Sequence, residues 1–166
     1  MGHRLISLLL AAGLLAGCQT MRSSNPNSIW YELPRGSKLV LNQDLEIPAG
    51  QAHVIVQNAK AGTSAYELEV WCRFEVKQLG PRTIHPDTFL ITEVAQGRRW
   101  VNQPSTMLFF KVFHMQSEQQ QKDILPMHCG YTYDPLLGKP VSIEQIRETL
   151  GSVFTLVPGP AGGNSQ

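Results

Sequence analysis

Little in this chain announces a chemistry. Its 166 residues contain no Gly-x-Ser-x-Gly elbow, no His-Glu-x-x-His pair and no glycine-rich phosphate loop. Those absences remove the recognisable routes to a serine hydrolase, a zinc protease and a nucleotide-binding enzyme. An excess of one charge is missing too. With 14 basic and 13 acidic side chains there is no basic stripe, and nucleic acid is not an expected partner. Cysteine is scarce, at positions 18, 72 and 129 alone. Beyond the first twenty residues no apolar run approaches the roughly 20 residues that a membrane-crossing helix needs. No internal repeat is visible.

What is present begins at the amino terminus. His3 and Arg4 supply positive charge, Leu5 to Leu15 is apolar apart from Ser7 and Gly13, and small residues lead into Cys18. So short a run reads as a secretory signal, residues 1–17, rather than as an anchor. The ending Leu15-Ala16-Gly17-Cys18 resembles the lipobox of bacterial lipoproteins. The resemblance implies cleavage before Cys18, a diacylglycerol on its sulfur and an acyl group on the new amino terminus. Membrane lipid would then hold the domain without any helix crossing the bilayer. Gln19 resembles the outer-membrane pattern, where Asp would signal inner-membrane retention. The expected location is the periplasmic face of the outer membrane.

An exported chain meets an oxidising compartment. With Cys18 taken by lipid, Cys72 and Cys129 are expected to form one disulfide, which closes a loop of about sixty residues. The alternatives are a free thiol or a metal ligand.

Composition divides the mature chain. Residues 18–28 read as a flexible tether and 158–166 as a disordered tail, because neither has much to bury. Residues 29–157 are the size of one domain. The clearest pattern in it runs from Tyr66 to Lys77, where Tyr66, Leu68, Val70, Cys72, Phe74 and Val76 alternate with polar neighbours. Period two is the mark of a strand with one buried face. Further strands are expected over 38–41, 52–58, 88–94, 106–115, 127–133 and 153–157, separated by Gly and Pro turns. Ser142 and Gln145 form a capping-box pattern, Ile143, Ile146 and Leu150 recur at helical spacing, and Gly151 supplies a stop. The expected fold is all-β, an antiparallel sandwich or small barrel with one short C-terminal helix.

Four groups of residues are candidates for a site. His114, Met115, Met127 and His128 flank a predicted loop at 116–126, and imidazole with thioether suits copper. Glu67 and Glu69 would share a strand face, the geometry of an acid–base pair, against the plainer reading of a solvated polar face. His128-Cys129-Gly130 resembles in part the His-Gly-Cys core of L,D-transpeptidases, with Gly and Cys exchanged. Neighbours on a strand point to opposite faces, and an oxidised Cys129 has no thiolate, so a structural disulfide is preferred there. Trp71, Arg98, Arg99 and Trp100 are candidates for a contact surface, with Trp100 expected in a turn after Gly97. Together these suggest a non-catalytic accessory or binding protein of the envelope. It would need no cofactor and would hold an envelope protein or cell-wall component near the membrane. A copper-handling lipoprotein and a cell-wall-active enzyme are the alternatives.

Overall fold

The computed structural model describes residues 23–119 and 122–160. The signal, Cys18, and residues 120–121 and 161–166 lie outside them. Among the described residues ten strands run in chain order: β1 (Lys38–Leu41), β2 (Leu45–Ile47), β3 (His53–Gln57), β4 (Lys60–Gly62), β5 (Trp71–Glu75), β6 (Arg82–Ile84), β7 (Thr88–Asn102), β8 (Thr106–Ser117), β9 (Met127–Tyr133) and β10 (Phe154–Val157). One helix among the described residues, α1 (Ile143–Leu150), precedes β10. Eight strands form a sheet in the order β10-β1-β7-β8-β9-β5-β3-β4, and β2 pairs with β6 in a separate ribbon. Every pairing between named strands is antiparallel. The large sheet curls into a half-barrel.

The concave face holds the core. Inward positions alternate along each strand: Leu39 and Leu41, Val54 and Val56, Cys72 and Phe74, Met127 and Cys129 are all essentially buried. Phe74 sits centrally, its ring 5.7 Å from that of Phe89 and 5.5 Å from that of Phe154. The helix lies against β3, β5 and β10 and contributes Ile143, Ile146 and Leu150 to the same core. Its start matches the predicted box: Ser142 Oγ accepts from the Gln145 backbone N–H, and Gln145 Oε1 accepts from that of Ser142. At its end Gly151 has φ +51° and packs against Ala59, so closely that a Cβ would lie 2.1 Å from the alanine's. Cys72 and Cys129 face each other in register across β5 and β9 and are disulfide-bonded.

Several expectations need correction. The strand expected over 66–77 is formed only by Trp71–Glu75. Tyr66 and Leu68 are more than half exposed. Their backbone is held in a turn by other strands: the Gln57 side chain accepts from the Tyr66 N–H and donates to the carbonyls of Tyr66 and Val70, while Thr132 donates to the Glu67 carbonyl. Glu67 and Glu69 therefore do not share a strand face. Conversely β7 runs eight residues past Val94. Gly97 does not end it, because it is opposite Phe110, whose ring covers it: a Cβ there would meet the ring at 2.9 Å. Glycine makes room for an aromatic ring here, and Trp100 lies inside the strand rather than in a turn. The short strands β2, β4 and β6, three residues each, were not expected.

Hydrogen bonds join the described parts of both end segments to neighbouring residues. Ser23 donates to the Trp30 carbonyl and Ser28 to that of Asn25, so 23–28 folds back on the domain. Gly159 donates to Ser37 Oγ and fits against the Arg35 backbone with no room for a side chain.

Replacing Cys72 or Cys129 with Ser should each destabilise the oxidised protein by about 4 kcal/mol, the loop-closure entropy of a bridge this long. Urea midpoints measure it. Unequal losses, or free thiols in the native protein, would contradict the pairing.

Candidate functional site

The faces of β8 sort the candidate residues. Its odd positions, Met107, Phe109, Lys111, Phe113 and Met115, point to the core side. Its even positions, Leu108, Phe110, Val112 and His114, point outward. His128 pairs with Val112 and Arg73, so both histidines lie on the outer face. Met127 is opposite Phe113 and fully buried, and Met115 is opposite Ile91. The sheet thus separates the two histidines from the two methionines, and the expected copper quartet does not converge. Among the described residues no three His, Cys, Asp or Glu side chains are grouped to hold a metal ion. Burial lowers the pKa of His128 below its ordinary 6.5, with Arg73, Arg99 and His114 acting in the same direction and Glu75 opposing.

Cys129 is bonded to Cys72 and buried, so it offers no nucleophile. Glu69 accepts from Asn58 within the 66–69 turn, and no shared carboxylate site forms. Trp71 is half-buried on the outer face opposite Gly130, in line with Phe110 and Gly97. Its indole N–H is buried without a hydrogen-bond partner among the described residues. On the same face Arg73 pairs with Glu75.

The other three contact candidates come together. Arg98 and Trp100 pair with Phe109 and Met107 on the core side, and Arg99 pairs with Leu108 on the other. All three border a hollow of about 570 Å³ together with Pro104, Met107, Pro135 and Leu136. Trp71 does not belong to this group.

The structure adds residues that the sequence reading passed over. The turn 134–139 is built to hold its shape. Asp134 Oδ1 accepts from the N–H groups of Leu136 and Leu137, and its carbonyl accepts from Gly138. Gly138 lies flat on the Phe109 ring, where a Cβ would collide at 2.1 Å. Tyr131 closes the loop, its hydroxyl donating to the Lys139 carbonyl and accepting from the Lys139 N–H. The turn thereby holds Leu136 at 91% and Leu137 at 68% exposure. Asp-Pro and Gly around two leucines are visible in the sequence as a turn carrying apolar residues that no strand could bury.

Lys111 is the second addition. It sits at an inward position, 3% exposed, and its ammonium donates to Gln96 Oε1 at 2.5 Å. Burial lowers its pKa, and Glu32 opposes that shift. The cavity above it, about 290 Å³, lies between the 29–35 segment and the inner side of β7 and β8. A lone cation within Leu-Phe-Phe-Lys-Val-Phe was the available signal.

The chain matches no known protein family, no curated protein and no solved structure.

A histidine whose folded pKa lies below its unfolded value binds more protons when unfolded, so stability falls as pH drops below about 6.5. His128→Gln should flatten that slope between the lowered folded pKa and 6.5. Unfolding midpoints across that range test it, and an unchanged slope would contradict the burial-driven shift.

Proposed function

We propose that the protein is a lipid-anchored, non-catalytic accessory module of the bacterial envelope, which acts by contact at the membrane surface. One observation carries this reading. A rigid turn and a long hairpin present Leu136, Leu137 and Trp100, with Arg98 and Arg99, at an exposed end of the domain. Aromatic and arginine side chains beside exposed aliphatics are the composition of contact surfaces. Apolar patches of this kind on soluble domains mark interaction sites. The arm leading back to the lipobox supports the same reading, since Asn27 and Ile29 border a hollow shared with Tyr133 and Leu137.

Two measurements test it. Cys18→Ala should move the protein from the membrane to the soluble fraction; persistence in membranes through detergent-free washing would refute the anchor. Crosslinking in intact cells, followed by purification from native envelopes, should recover an envelope component at near-stoichiometric yield that the Cys18→Ala control lacks. Clean recovery of the protein with no such component would overturn the accessory role.

A further inference from the structure

The exposed end has a defined relation to the chain outside the described residues. Ser23 is folded back onto Trp30, and five peptide steps separate it from Cys18. Fully extended, those steps reach about 17 Å at most. A lipid on Cys18 therefore keeps the amino-terminal arm close to the bilayer, and the arm shares an end of the domain with Leu137. At that end the two leucines stand in water on a turn whose geometry is fixed by Asp134 and Tyr131, not by the leucines themselves. Trp100 stands beside Leu136, 44% exposed. The hollow bordered by Trp100 and Leu136 is lined, among the described residues, by Arg98 and Arg99 and by no carboxylate, while Glu144 and Glu148 line the separate hollow beside Leu137. Aliphatic tips, a tryptophan and exposed cations are what an interfacial surface of phosphate headgroups over hydrocarbon receives.

We infer that this end of the domain docks on the bilayer itself, with Leu136, Leu137 and Trp100 entering the interface and Arg98 and Arg99 meeting lipid phosphates. The inference rests on the lipid-anchored reading and names what its contact end touches. Docking gives the domain a second point of attachment and fixes which side faces away from the membrane.

The test uses lipidated protein in vesicles of phosphatidylethanolamine and phosphatidylglycerol, carrying a nitroxide at Leu136→Cys or at His85→Cys. His85 lies beyond the far end of β7, whose 15 residues span roughly 45 Å. The label at 136 should become accessible to oxygen and shielded from a water-soluble nickel chelate, while the label at 85 stays in water. Both labels in water would overturn docking. So would shielding at 136 that appears only with dipolar coupling between copies, or only when envelope proteins are added. The mass of Cys18 in the same sample separates the two readings: an unacylated cysteine refutes the anchor, and an acylated one with the 136 label in water refutes docking alone. In unlipidated Cys18→Ala protein, Leu136→Ser with Leu137→Ser should weaken vesicle binding about tenfold or more. Arg98→Gln and Arg99→Gln should each weaken it about fivefold on the anionic vesicles. On phosphatidylcholine vesicles, which carry phosphate but no net charge, they should weaken binding by a smaller factor. Unaltered binding in both sets would overturn the inference.

Discussion

The bond between Cys72 and Cys129 joins β5 to β9 in the middle of the large sheet. Five strands lie on one side of this seam and three on the other, and the seam itself has three residue pairs: Trp71–Gly130, Cys72–Cys129 and Arg73–His128. By contrast β8 and β9 are aligned over seven pairs. A one-residue slip at so short a seam would turn Cys72 and Phe74 outward and Arg73 into the core. The disulfide forbids that slip. It therefore secures the Phe74 cluster, the seat of α1 against β5, and the placement of Arg73 and His128 on the outer face.

From that register follows the division of β8 into two chemistries. On its core side Lys111 interrupts an aromatic row, held by Gln96 and facing the 29–35 segment. On its outer side Phe110 lies between Gly97 of β7 and Gly130 of β9, where neither neighbour has a side chain to compete for the space. A ring over a strand glycine repairs the exposed backbone and lost packing that glycine brings. It also lets β7 continue to Asn102, past Trp100, whose partner Met107 is paired in turn with Tyr133 at the end of β9.

Much of this was legible in the sequence where a residue's neighbours in the chain decide its structure. The Ser142–Gln145 box and the strands at 38–41 and 127–133 fall into that class, and the cysteine pair was legible because only two cysteines remain once Cys18 is set aside. What failed to be legible depended on distant partners. The alternation from Tyr66 to Val70 is as regular as any in the chain, yet Gln57 and Thr132 capture that backbone as a turn. Gly97 reads as punctuation until Phe110 is seen above it. His114 and Met115 are adjacent in sequence, and only the pleat reveals that they serve opposite faces. The two hollows on either side of the 134–139 turn draw on residues 27–29 and 98–100, and no local pattern relates those three segments. Their meeting is a property of topology.

The disulfide also determines what the chain becomes if it is cut. Residues 72–129 form a covalent ring, and the exposed tip of the β7–β8 hairpin, residues 103–105, lies on it. A protease that severs the tip opens the ring without dividing the molecule. The fragment ending before the nick keeps Cys72, the fragment beginning after it keeps Cys129, and the sulfur bridge between them holds. The exposed hairpin tip can thus be broken while the two pieces stay clasped, and they come apart only if the nick is followed by reduction.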